Sequence, residues 1–341
     1  MVTIKDVAER SKVSKATVSR VLNNYPVSPK TYARVMQAIK ELNYQPNAQA
    51  RGLSLKRSHI VGLIAPDLQG IFYGPIILGI EEVLRNNGFN LIVSRSQPNS
   101  KEFSLAKMLK ERKADGLIIS TPREIGEKAV LALKKDDFPI VLIDGNVGPA
   151  INSVEINSYN GAFAACEHLI KLGHKRIGVI SGPLEYKEVQ DRIDGYKDAL
   201  EKHGLPFDKK LLKQGDYLFA GGFQQMENLF QLDQLPTAVF AMSDLMAAGA
   251  MQSIFRKGLV IPRDMAVVGF DDSEAAKMVF PHLTSVRQPI SEMGAVAARK
   301  MVAVLKGDEK EVTHIKLETT LVIRESCGAG GAKNAKLVVP G

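Results

Sequence analysis

Apolar positions recur at helical spacing through the first 43 residues. Ile4, Val7 and Ala8 fall at i, i+3 and i+4, and Val18, Val21 and Leu22 resume the stripe after an interruption at Ser11, Lys12 and Val13. Ser14 stands where an N-cap belongs, because its hydroxyl can accept a backbone N–H of the next turn. The pattern predicts two short helices joined by a tight turn, the second running from Lys15 to Asn23. A third opens at Ser28-Pro29, a capping serine before a proline at the first helical position, and reaches about Asn43 with Val35, Ala38, Ile39 and Leu42 inward. Pro46 then breaks the period. Asn47 can cap a short segment, Ala48 to Leu53, whose Gly52 lowers helix propensity by about 1 kcal/mol. This stretch is either a flexible linker or a helix that needs a partner to form.

From Ile60 the rhythm changes. Short apolar runs rich in β-branched residues, the mark of buried strands, alternate with helical periods. The runs are IVGLIAP (60–66), NLIVS (90–94), GLIIS (116–120), PIVLID (139–144), RIGVIS (176–181), TAVFA (237–241) and MAVVGF (265–270). Helices are predicted between them over about 74–87, 101–112, 125–135, 159–172, 189–203, 223–230 and 245–257. LTSVRQP (283–289), a helix over 291–305 and strands near 313–325 complete the body. Strands alternating with helices mean parallel sheets, and two such runs mean two doubly wound lobes with a cleft at the strand carboxyl ends. The expected domains are a headpiece (1–45), a linker (46–58), a body (59–327) and a loose tail (328–341). The expected lobes are about 59–158 with 290–320, and about 159–289 with 321–327.

Composition sharpens this picture at one point. The 341 residues carry a net charge of +8. Residues 1–58 hold eleven Lys/Arg against three Asp/Glu, so the whole surplus lies there and the remainder is neutral. A basic module on a neutral body suggests a polyanionic partner for the module alone. The exposed face of the second helix, with Lys15, Ala16, Ser19, Arg20 and Asn23, is either a solvated surface or a helix that docks in a DNA major groove. The 45% hydrophobic content, the two cysteines, the lack of a spanning-length apolar run and the lack of a signal peptide point to a cytoplasmic protein without disulfides.

Enzyme and cofactor signatures are missing. No GxGxxG follows a strand, and neither a GxxxxGK[ST] loop nor a GxSxG elbow occurs. His168 and His174 are too far apart for an i, i+4 metal pair, Cys166 reads as a small buried hydrophobe, and no cofactor is expected. The strand ends carry the chemistry instead. Asp67, Asp144, Asp271, Asp272 and the pair Ser243-Asp244 follow predicted strands, where each can cap the next helix or face the cleft. Carboxylates and a guanidinium such as Arg192 are what a desolvated polyol requires, and Phe72 and Tyr73 could stack on an apolar sugar face.

Three motifs carry a resemblance. DVAERSKVSKATVSRVLN closely resembles DVAxxAGVSxxTVSRVLN, the DNA-binding headpiece of the lactose-repressor (LacI/GalR) family. PNAQARGL resembles its hinge helix PNxxARxL, and GPLEYKEVQDRIDGY is similar to its GPxxxxxxxxRxxGY. The resemblance implies a small all-α helix-turn-helix headpiece on an α/β, periplasmic-binding-protein-like body of two doubly wound parallel-sheet lobes. It implies a cytoplasmic homodimer reading palindromic double-stranded operator DNA through Arg20, Lys15 and Ala16, with Thr3, Ser14, Thr17, Ser19 and Asn23 positioning the helix. Asn47 and Ala50 would belong to the hinge and Leu53 would wedge into a minor-groove step. By that resemblance the effector, a sugar or derivative, would meet Arg192, Asp271 and Asp144; the strand-end residues Asp67 and Ser243 and the aromatic Phe72 and Tyr73 are expected to join them. Ser11 and Lys12 replace the family's Ala-Gly in the turn, where a positive φ would cost Lys12 about 1 kcal/mol. Gly70-Ile71, Asn146 and Ser243 also depart from common family residues, which leaves the ligand open. The IFY and ARGL wording is similar to the catabolite-control branch, whose co-repressor is a phosphorylated carrier protein. A solute-binding protein with a basic extension is the rival of another class.

Overall fold

The computed structural model describes residues 2–22, 25–44, 58–66, 71–95, 111, 114–120, 127–135, 137–145, 147–309 and 311–329. They fall into two compact units, divided between His59 and Ile60. Asn23, Asn47, Ala50, Leu53 and Asp67, the hinge segment and most of the expected 101–112 helix lie outside the described residues.

The first unit is built from α1 (Ile4–Ser11), α2 (Lys15–Leu22) and α3 (Pro29–Glu41). Val7, Ala8, Val18, Val21, Val35 and Ala38 form its core, with Ile4, Val13, Leu22, Ile39 and Leu42 packed against them. A core of this size is small, and two other devices add to it. Arg10 Nε donates to Glu41 Oε2 at 2.7 Å and ties α1 to α3. Ser28 caps α3, accepting the Thr31 N–H at 3.3 Å. Lys12 does sit in the left-handed region, with φ 52° and ψ 46°. Ser11 adapts to the turn by donating its hydroxyl to the Val7 carbonyl at 2.6 Å, so its polar atom is satisfied although buried.

In the second unit the chain runs β1 (Ile60–Ala65), α4 (Tyr73–Asn86), β2 (Asn90–Arg95), β3 (Gly116–Ser120), α5 (Glu127–Lys135), β4 (Ile140–Ile143) and β5 (Asn152–Ile156). It continues through α6 (Ser158–Lys171), β6 (Ile177–Ser181), α7 (Lys187–Lys202), β7 (Leu212–Gln214), α8 (Phe219–Leu229), β8 (Ala238–Ala241), α9 (Asp244–Arg256) and β9 (Ala266–Asp271). Then come α10 (Glu274–Met278), β10 (Thr284–Arg287), α11 (Ile290–Lys306), β11 (His314–Leu317) and β12 (Thr320–Val322). Two six-stranded sheets result, in the orders β11-β5-β4-β3-β1-β2 and β12-β10-β9-β8-β6-β7. Among the described residues all pairings are parallel except β10–β12. Fully buried apolar runs such as LIIS and AVFA explain why both faces of the central strands are covered.

Among the described residues the chain passes between the sheets three times: at Asn157, at Gln288-Pro289 and at Glu318-Thr319, the last just before the lobe boundary expected between 320 and 321. The first and third strands of connection are laced together. Asn157 N–H donates to the Leu317 carbonyl at 2.8 Å, and Thr319 Oγ1 donates to the Asn157 carbonyl at 3.3 Å. Helix pairs pack at close range through glycine. A Cβ on Gly79 of α4 would stand 2.2 Å from the Ser291 carbonyl oxygen, and one on Gly294 of α11 would stand 2.3 Å from that of Ile76. No helix among the described residues is long and apolar enough to cross a membrane.

Candidate nucleic-acid interface and effector cleft

Val18 and Val21 are buried on one side of α2, while Lys15, Ala16 and Arg20 are exposed on the other. The helix start is fixed by Ser14, which accepts the Thr17 N–H at 3.1 Å and exchanges a hydroxyl contact with Thr17 at 2.9 Å. Thr3 is held at the start of α1, where its N–H and hydroxyl both donate to Asp6 at 2.7 and 2.9 Å. Lys15 and Arg20 pair with no carboxylate among the described residues, in contrast to Lys5 and Arg10, which face Glu9 and Glu41. An exposed cationic row on a rigid helix matches the geometry of major-groove readout.

Between the two sheets of the second unit lies a cavity of about 290 Å³. It gathers Phe72, Tyr73, Asp144, Arg192, Ser243 and Asp271, which the sequence scatters over 200 positions. Arg192, buried on α7, donates from Nη1 to the Met242 carbonyl at 2.7 Å and from Nε to Ser158 Oγ at 3.3 Å. Its guanidinium carbon lies over the Phe270 ring, 3.7 Å from the centroid. Asp271 accepts from Gln288 Nε2 at 2.6 Å. Burial pushes Asp144 up to about 7, with the nearby Glu188 adding to the effect and Arg192 opposing it. Burial and the neighbouring Asp244 raise Asp271, again against Arg192. Asp144, Asp271 and Tyr217 sit at φ 51°, 117° and 68°. Left-handed backbone at three lining residues is strain of about 1–3 kcal/mol each, of the kind that gathers at ligand sites.

The GPLEYKEVQDRIDGY motif now has a physical reading. Gly182 leaves room for the Tyr217 ring, whose Cζ would be 2.2 Å from an added Cβ. Gly195 lets α7 approach α6, since a Cβ there would meet the Tyr159 carbonyl oxygen at 2.4 Å. Tyr196 is anchored by its hydroxyl, which donates to the Ile177 carbonyl at 3.0 Å. In VVGFDD, Phe270 supports Arg192, Asp271 lines the cavity, and Asp272 accepts from Arg287 at 2.7 Å and from Arg324 at 2.5 Å. Ser243 accepts the Met246 N–H at 3.2 Å and so caps α9 at the cavity wall. Asp244 turns away from the cap. It is fully buried and binds Ser273 N at 2.7 Å and Ser285 Oγ at 2.5 Å, holding the loop after β9.

The comparisons with known proteins fit this anatomy. Residues 3–47 match the model for bacterial regulatory proteins of the lacI family, and residues 166–327 match a periplasmic binding protein-like domain. Catabolite control protein A of Priestia megaterium is 38% identical over 329 residues, which is 95% of this chain and 99% of the relative. The chain belongs to the lacI family. Two solved relatives share its fold along nearly the whole length. The lac repressor dimer bound to operator and the anti-inducer ONPF has a TM-score of 0.84 and 30% identity, covering 96% of this chain and 99% of that one. The transcriptional regulator CelR–cellobiose complex has a TM-score of 0.73 and 32% identity, covering 96% and 100%. This lacI-family chain is therefore a DNA-binding transcriptional regulator with a headpiece and a two-lobed body.

Several cavity residues of this family member were not singled out by sequence reasoning: Tyr186, Glu188, Asp216, Tyr217, Leu218, Ser273 and Gln288. Glu188 had a usable signal, since it stands four residues before Arg192 and so shares its helix face. Tyr217 had none, because a left-handed tyrosine is set by its surroundings and not by its neighbours in sequence.

Proposed function

We propose that the chain is a repressor, acting in the cytoplasm as a homodimer and not as an enzyme, that binds a palindromic operator and responds to a polyol in the inter-lobe cavity. The observation that carries the DNA half is the exposed Lys15–Arg20 face of α2, with cations unpaired by any described carboxylate. Arg20 is assigned to a guanine, Lys15 and Ala16 to neighbouring base pairs, and Thr3, Ser14, Thr17, Ser19 and Asn23 to backbone positioning. Asn47, Ala50 and Leu53 are assigned to the hinge. The effector half rests on the cavity itself, where Arg192, Asp144, Asp271 and Ser243 converge beside the aromatic Phe72 and Tyr73. Asp67 is assigned to the same wall by its place after the first strand in the sequence. A ligand that touches both lobes favours one lobe arrangement over another, and that difference in affinity is the switch.

The similarity to a relative named catabolite control protein A favours a second reading, in which a phosphorylated carrier protein acts as co-repressor.

Selection from random double-stranded DNA with the full chain tests the first half. The expected winner is a two-fold symmetric site whose log affinity falls with log salt at roughly −0.9 per phosphate neutralised. A chain beginning at Ile60 should remain folded and select nothing. Tight binding by that shortened chain would remove the headpiece from the recognition role.

A further inference from the structure

The cleft is unbalanced in charge and in hydrogen bonding. Among the described residues lining it, Asp144, Glu188, Asp216 and Asp271 bring carboxylates and Arg192 alone brings a cation. Arg192 has two of its donor nitrogens engaged by Met242 and Ser158. Nearby cations are paired away from the cavity: Lys187 with Asp191 and Glu155 at 3.0 and 3.6 Å, and Arg287 and Arg324 with Asp272. The Asp144 carboxylate receives no hydrogen bond from a described residue. Gln288, 5% exposed, turns Nε2 to Asp271 and leaves Oε1 without a partner, and the buried Tyr217 hydroxyl has none either. A small recess of about 10 Å³ continues the cleft past Asp144 and Glu188 to Glu155, Asp191 and Lys187. Such a recess has room for about one water or ammonium group.

The walls therefore offer acceptors in excess. Burial raises Asp144, Glu188 and Asp271 together; Glu188 adds to the effect at Asp144, which has no donor among the described residues, while the Gln288 amide offsets only part of it at Asp271. A ligand hydroxyl or ammonium supplies the missing donors. A phosphate or carboxylate adds negative charge to a wall of four carboxyl groups, meets a guanidinium with two of its nitrogens already engaged, and must shed its water to enter. We infer that the cleft selects a donor-rich polyol that is uncharged or carries an ammonium group, and rejects the phosphorylated and carboxylated forms of the same polyol. This rests on reading the cleft as the effector site.

Calorimetric titration of the full chain at pH 7.5 tests it with matched sets built on a pentose, a hexose and a disaccharide. Each set contains the parent sugar, its amino derivative, its phosphate ester and its uronic acid. The tightest binder should be a parent or amino sugar, at least tenfold tighter than its phosphorylated and acidic partners. Glu188→Gln should shrink that ratio several-fold, because it removes one of the repelling charges. A phosphate ester or uronic acid as tightest binder would overturn the inference and leave the polyol reading standing. An unchanged ratio in Glu188→Gln would overturn the charge argument. Failure of every member to bind would overturn the polyol reading and the inference with it.

Discussion

Arg192 lies over Phe270, with its guanidinium carbon 3.7 Å from the ring centroid, and Phe270 is the residue immediately before Asp271. One side chain thus joins the α7 helix to the β9 strand end beneath the cavity. Arg192 holds the wall together as well as facing the ligand, so its removal has two effects. Arg192→Ala orphans the buried Met242 carbonyl at a cost of about 1–3 kcal/mol. It should lower Tm by roughly 2–4 °C for each kcal/mol and abolish the ligand response. Operator affinity without ligand, measured well below Tm, should match wild type. Scanning calorimetry and operator titration with and without a bound sugar measure both effects; an intact response at the wild-type concentration would show that the signal enters elsewhere.

Asp144 holds its proton more tightly in the folded than in the unfolded chain, with a folded value of about 7 against an ordinary 3.8. The folded state then binds more protons between those values, so stability falls as pH rises from about 4 to 7 and levels off above. Asp271 and Glu188, also raised, act in the same direction. Asp144→Asn removes the titration. Its Tm relative to wild type, without ligand, should climb from pH 4 to pH 8, the underlying stability difference changing by no more than about 4 kcal/mol. A Tm difference that does not vary with pH would mean that Asp144 ionises freely.

Arg20 projects from the exposed side of α2 with no described acid to hold it. Arg20→Ala should relax specificity at one base pair of each half-site by about 1–3 kcal/mol, read from binding to a panel of single-base operator variants. Equal weakening across the panel, with a shallower salt slope, would instead place Arg20 on a phosphate.

Met278 and Phe280 are 77% and 67% exposed at the end of α10 and just beyond it. Two large apolar side chains this exposed, two residues apart, are candidates for a contact surface in the dimer. Phe280→Asp should shift the protein from dimer toward monomer in sedimentation velocity and weaken operator binding with it, because two half-sites then lose their joint reader. An unaltered sedimentation profile would clear this surface of a role in assembly.

Much of the body was legible because buried parallel strands are continuous apolar runs, and GLIIS and VVGF leave few alternatives. Where the pattern failed, packing had overruled local preference. The sequence predicts a helix from Phe223, yet α8 begins at Phe219 and passes through Gly221 and Gly222. Two glycines argue against helix by about 1 kcal/mol each. Gly222 is nevertheless needed, since a Cβ there would meet the Met246 carbonyl oxygen of α9 at 2.1 Å. Strand β5, NSVEI, was hidden by its polar residues. Asn152 accepts the Thr313 N–H and Ser153 meets His314, partners 161 residues away. The cleft was legible at strand ends, where an acid after an apolar run stands out, and illegible on loops such as Asp216–Leu218, whose place depends on the whole lobe.

The triple passage between the sheets also sets a schedule for synthesis. The first sheet begins at Ile60 and receives its last strand, His314–Leu317, only after the second lobe has been almost entirely made. Helix α11, which covers that sheet against α4, is likewise a late arrival. At roughly 5–20 residues per second, the early strands emerge from the ribosome tens of seconds before the segments that cover them. Over that interval the nascent first lobe shows an open sheet edge and an uncovered apolar face to any holding chaperone, whereas the headpiece, complete by residue 44, can fold at once.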